Sequence, residues 1–149
     1  MMNNIRQIPF KKEHLEIMDI REREYKILAD TPDFVQKLTA LENFHSAMTF
    51  IHKGIVLGVV GYIPVNPGTC EVWLIPSSYV SEYSLAFARL LRYYRKEIMP
   101  TFNWHRLQMV APNDELHNRW AEFLGFEKEG ILRQWGHNKA DHVMWSIVR

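Results

Sequence analysis

Apolar positions along this chain alternate between strand spacing and helical spacing, and the switches between the two set the expected order of elements. Ile5 to Phe10 reads as a short strand, and Pro9, which cannot donate to a central ladder, assigns it to a sheet edge. From Lys12 to Ala29, Leu15, Met18, Tyr25 and Leu28 recur near the helical period among Glu, Arg and Lys, which predicts an amphipathic helix. Thr31-Pro32-Asp33 then offers a hydroxyl cap and a first-turn proline, and Phe34, Val35, Leu38 and Leu41 predict a second, shorter helix.

After Asn43 the period changes. Ala47 to His52 and Ile55 to Ile63 are rich in β-branched and aromatic residues around Lys53-Gly54, a hairpin signal. Pro64 to Gly68 is dense in turn formers, and Thr69 to Ile75 predicts a third strand of this meander. Phe87, Leu90, Leu91, Tyr94 and Ile98 predict a long helix, begun near Val80–Ser84 and stopped by Pro100. Arg106 to Val110 follows as a strand. Asn113-Asp114-Glu115 caps a helix whose stripe is Leu116, Trp120, Phe123 and Leu124, with Gly125 as its left-handed stop. Phe126 to Gln134 and His142 to Val148 close the chain as strands around Gly136–Lys139. The expected order is β-α-α-β-β-β-α-β-α-β-β, an α/β chain (α+β mixed sheet) with helical cover.

Composition sharpens this picture. Its 149 residues, 47% of them hydrophobic, suit one domain spanning 1–149. Eighteen basic residues nearly cancel seventeen acidic ones, so a net charge of +1 gives no broad pull toward nucleic acid or a membrane surface. The lone Cys70 excludes an intrachain disulfide, and the seven histidines show no zinc-ligand spacing, so no metal is expected. No long apolar run predicts a membrane span, and a cytoplasmic setting is the default expectation. Trp104, Trp120, Trp135 and Trp145 are expected in the core and on sheet faces.

Three stretches carry a resemblance to the GNAT N-acetyltransferase superfamily: Val72-Trp73-Leu74-Ile75-Pro76, Asn113 through Leu124-Gly125-Phe126, and Glu129-Gly130-Ile131-Leu132-Arg133 with the late Asp141. The resemblance covers nearly the whole chain and implies a GNAT-like acyl-CoA N-acyltransferase fold. It implies acetyl-CoA as cosubstrate, with the pantetheine arm lying along the fourth strand at Leu74 and Ile75 and the pyrophosphate on the following helix start at Val80, Ser81 and Ser84. Asn113 and His117 are implied as further cofactor contacts. Glu71 is the implied base and Tyr83, or Tyr79, the implied acid, because the register of the family's usual tyrosine acid falls on Ala121. The implied acceptor is a small-molecule amine or a protein amino group. The chain departs from the family pattern between Ser77 and Ser84, where no glycine stands.

Val72-Trp73-Leu74 and the helix pattern His117-x-Arg119-Trp120 are also similar to segments of phage-encoded GNAT-like virion and head-assembly proteins. That likeness implies the alternative of a catalytically degenerate scaffold with a structural role, in the host cytoplasm or the virion, with a second copy or a virion component as partner.

Overall fold

The computed structural model describes residues 5–18, 36, 39–40, 42, 47–81 and 83–149. The expected strands are present as β1 (Ile5–Pro9), β2 (Met48–His52), β3 (Ile55–Asn66), β4 (Thr69–Pro76), β5 (Arg106–Pro112), β6 (Glu127–Leu132) and β7 (His142–Val148). The helices are α1 (Glu13–Ile17), α2 (Ser84–Tyr93) and α3 (Glu115–Phe123). Most of the predicted second helix, Thr31 to Leu41, and of the first beyond Met18 lies outside the described residues; Gln36, Thr39, Ala40 and Glu42 are helical. One seven-stranded sheet runs β1-β2-β3-β4-β5-β7-β6, and Pro9 sits on its edge strand as expected. The sheet is mixed: β4 and β5 are parallel, while β1–β2, β2–β3, β5–β7 and β6–β7 are antiparallel.

By contacts the chain forms two compact units, Met1–Ile63 with Val72–Phe87, and Pro64–Glu71 with Ala88–Arg149. In the first, Phe10, Met18, Ala47, Val56, Val59 and Ile75 form a core against which Leu15, Ile51, Ile63 and Trp73 pack. Phe50 and Phe87 meet edge to face at 5.5 Å, beside Gly58. A Cβ at Gly58 would stand 3.1 Å from the Ile75 carbonyl and 3.3 Å from the Phe87 ring, so the missing side chain brings α2 close to the sheet.

His14 gives this unit a pH dependence. Its Nδ1 lies 2.7 Å from the Oγ1 of the buried Thr49 and accepts from the Lys11 amide at 3.1 Å, an arrangement that needs the neutral ring. Burial, and then Lys11, pulls the His14 pKa below its ordinary 6.5, against the opposing carboxylates of Glu13 and Glu42. An unfolded chain takes up a proton near pH 6.5 that the folded chain declines, so this group lowers stability as pH falls below that value and has no effect well above it. Urea unfolding at pH 7.5 and 5.5 should therefore show a loss that shrinks in His14→Gln.

In the second unit β5 pairs with β7 along its whole length, from Arg106↔Val148 to Pro112↔His142. Across this sheet Arg106 donates to both oxygens of Glu129, at 2.7 and 2.6 Å, and the Ser146 hydroxyl donates to it at 2.8 Å. Arg106, and then Ser146, hold the Glu129 pKa down at about 2. The stop after α3 is as expected: Gly125 has φ +92°, and a Cβ there would lie 2.7 Å from Arg95 Nη2.

Three expectations change. The turn after β3 is only Pro67-Gly68, because Gly68 takes φ +82° and Pro64 stands in an exposed stretch where a missing amide costs little. The helix predicted to run to Ile98 is regular only to Tyr93, followed by a π turn at Tyr94–Ile98 and a 3-10 turn, Met99–Thr101, that contains Pro100. The wider turn shifts the helical phase so that Tyr94 and Met99, five residues apart, are both buried. Trp104 and Trp145 are buried, but Trp135 is 60% exposed on the β6–β7 connection, where its ring lies 5.1 Å from that of His142.

Candidate functional site

The first unit carries the expected cofactor segment. Along β4, side chains alternate across the sheet, so Ile75 is buried at 4% exposure while Leu74 stands 39% exposed. Ile75 can thus offer a ligand only its backbone, whereas Leu74 offers its side chain. The strand hands over at Ser77, whose amide donates to the Leu57 carbonyl at 2.8 Å and whose buried Oγ accepts from the Tyr79 amide at 3.2 Å. The Ser77 hydroxyl therefore caps a one-turn 3-10 segment, Ser78–Ser81, which contains Val80 and Ser81.

α2 begins at Ser84, and the first helical bond runs from the Phe87 amide to the Tyr83 carbonyl at 2.9 Å. The amides of Ser84, Leu85 and Ala86 lie in the first turn of α2, at the positive end of the helix dipole. No acidic residue occupies this first turn. Tyr83 sits at the cap with its ring edge-on to the buried His52 imidazole, centroids 4.5 Å apart. The structure thus brings Leu74, Ile75, Val80, Ser81, Tyr83 and Ser84 into one strand–turn–helix segment. These groups fit a phosphate-bearing ligand through backbone amides, with no glycine to bring it closer.

The second unit carries the other candidates. The parallel β4–β5 ladder consists of Thr69↔Arg106, Cys70↔Leu107 and Glu71↔Gln108, so Glu71 stands on its last rung. Cys70 beside it is buried, and burial pushes its thiol pKa up, which disfavours a thiolate nucleophile. At the far end of β5, Asp114 rather than Asn113 is the N-cap of α3. Its Oδ1 accepts from the His117 amide at 2.9 Å, and both its oxygens face His117 Nδ1, at 2.8 and 2.9 Å. Asn113 turns away: its amide donates to the Asp141 carbonyl and its Oδ1 accepts from Asn118 Nδ2 at 3.3 Å.

Asn113 and His117, expected to share one face at i and i+4, are therefore held by different partners. Sequence reasoning named His117 but missed Asp114 as its partner, although a cap residue three positions before a histidine is a readable signal. Gln108 to Pro112 spans about 13 Å at about 3.3 Å per strand residue, so α3 begins beyond the end of β5 that lies away from the Thr69↔Arg106 rung. Among the described residues no three His, Cys, Asp or Glu side chains group to hold a metal ion, and no helix is long and apolar enough to cross a membrane.

No family model and no curated protein matches the sequence. Solved structures do match the fold. An N-acetyltransferase from Staphylococcus aureus Mu50 superposes with a TM-score of 0.72 at 16% identity, over 98% of this chain and 99% of that one. The microcin C7 self-immunity acetyltransferase MccE, solved with acetyl-CoA and AMP, gives 0.68 at 15% identity, over 99% and 93%. A GNAT-family acetyltransferase from Bacillus anthracis gives 0.63 at 18% identity, over 98% and 95%. At these identities the likeness defines the fold: the chain has the acyltransferase fold shared with GNAT-family acetyltransferases.

Proposed function

We propose that this protein is an acetyl-CoA-dependent N-acetyltransferase acting on a small-molecule amine or a protein amino group. The observation that carries the reading is the β4–turn–α2 segment, whose exposed Leu74 and helix start without an acidic residue in its first turn suit a pantetheine arm and a pyrophosphate in succession. Bound acetyl-CoA would supply an activated thioester. Leu74 and the backbone of Ile75, Val80, Ser81 and Ser84 would hold it, and Glu71 would take a proton from the acceptor amine. Tyr83 is the acid that the sequence resemblance implies.

Glu71→Gln should lower turnover about 100-fold while leaving acetyl-CoA affinity unchanged. Thiol release with a panel of spermidine, tyramine and a lysine-bearing peptide reads the first, and calorimetry the second. Equal turnover would remove Glu71 from the chemistry.

A second reading keeps the scaffold without catalysis, in an assembly role of the kind that the phage-like segments imply. It is favoured by the turn itself, where Ser77 spends its hydroxyl on the Tyr79 amide and no glycine opens the backbone. It predicts no acetyl-CoA binding and self-association or capture by virion components in its place.

A further inference from the structure

Gln108 carries a carboxamide whose orientation is fixed and whose donor end is unused. Its Oε1 accepts from Arg106 Nε at 2.9 Å. A guanidinium only donates, so the oxygen must be the atom that faces Arg106, and the Nε2 donor end is turned away from it. Arg106 is itself locked, because its other two nitrogens donate to both oxygens of Glu129, at 2.7 and 2.6 Å, and the Ser146 hydroxyl holds the same carboxylate at 2.8 Å. Among the described residues Gln108 Nε2 has no hydrogen-bond partner, and the side chain is partly open to solvent.

The β4–β5 register sets Gln108 directly across from Glu71, in the same compact unit. Residues on one rung share a face about 4.8 Å apart, and Glu and Gln side chains are equally long, so a carboxylate and an amide donor stand as neighbours. Cys70 and Leu107, on the adjacent rung, turn to the buried side, whereas Arg106 and Glu129 beside Gln108 are 25% and 39% exposed. We propose that Gln108 selects the acceptor, its Nε2 donating to an oxygen on the carbon next to the one that bears the reacting amine. This rests on the acetyl-transfer reading above, with Glu71 as base, and narrows the acceptor to vicinal amino alcohols and the α-amines of peptides or amino acids. In these the amine meets the Glu71 carboxylate while the neighbouring hydroxyl or carbonyl oxygen meets Gln108, each at an ordinary hydrogen-bond distance of about 2.9 Å. A lysine ε-amine or a plain alkyl amine has no oxygen there and leaves the donor to water.

Octopamine is tyramine with one hydroxyl on the carbon beside the aminomethyl group, so the two amines differ only in the proposed contact. Thiol release should give the wild type a kcat/KM about tenfold higher for octopamine, the worth of one neutral hydrogen bond. In Gln108→Met, which keeps the length and removes the donor, that ratio should fall to about one, with KM for acetyl-CoA and the urea midpoint unchanged. Gln108→Leu should give the same ratio and serves if the Met variant folds poorly. The Gln108 side-chain amide signal in a proton–nitrogen correlation spectrum, identified by its loss in Gln108→Met, should shift with octopamine and stay in place with tyramine. Equal wild-type kcat/KM for the two amines, a ratio that survives in both variants, or an amide signal that octopamine moves no more than tyramine does would overturn the inference. A wild type that neither binds acetyl-CoA nor releases thiol would overturn the acetyl-transfer reading, whereas a shift of the amide signal by octopamine alone would still establish the contact at Gln108.

Discussion

Trp145→Ala is expected to cost about 3–5 kcal/mol of stability, the range for deleting a large buried aromatic. Trp145 is almost fully buried on β7, flanked by β5 at Met109 and by β6 at Lys128. Removing it opens a void in the middle of a three-strand sheet whose neighbours are held by backbone ladders on both sides, so they cannot close over it. The indole Nε1 is buried and, among the described residues, has no hydrogen-bond partner. A buried donor without an acceptor is itself costly, by about 1–3 kcal/mol. Trp145→Phe, which keeps most of the volume and removes that donor, should therefore cost far less than the alanine change, about 1 kcal/mol or below. Urea midpoints of the two variants decide this. Equal losses would show that the indole nitrogen is satisfied and that packing around it is loose.

Leu85→Glu should separate helix stability from ligand binding. Leu85 is 59% exposed in the first turn of α2, a turn without acidic residues, so its replacement empties no core. A carboxylate there interacts favourably with the positive end of the helix and should add about 0.3–1 kcal/mol of stability. The same charge would occupy the place proposed for a pyrophosphate and repel it. Acetyl-CoA affinity should fall at least about tenfold while the thermal midpoint holds or rises, because two like charges in contact at a helix end oppose each other by more than the dipole attracts either one. A stable variant with undiminished affinity would move the phosphate site away from α2.

Where local chemistry sets the backbone, the sequence was legible. Lys53-Gly54 makes the expected hairpin with φ +51° and +78°, Gly125 makes the expected helix stop, and Pro9 marks an edge strand. In each case one residue type decides the conformation with little help from the rest of the fold. Legibility ended where a choice depends on packing. Asn113 and Asp114 are equally good caps in isolation, and only the bond from Asn113 to Asp141 across the β6–β7 connection fixes the cap on Asp114. Trp135 is apolar enough for a core, yet it falls on the connection between β6 and β7, where it stands exposed. The π turn at Tyr94 is likewise invisible to a regular helical period, because it exists to change that period.

Of the candidate site, the segment from Leu74 to Ser84 was readable as a strand, a turn and a helix start. How each side chain is spent was not readable. The Ser77 hydroxyl is consumed by its own turn, Tyr83 by His52, and His117 by Asp114, and each assignment needs rotamers that no sequence period encodes.

The account stands most directly on calorimetric titration of the wild-type protein with acetyl-CoA. It predicts saturable binding at one site per chain, weakened at least about tenfold by Leu85→Glu and unaffected by Glu71→Gln. Absence of any heat of binding at millimolar acetyl-CoA, with the protein folded throughout, would contradict it.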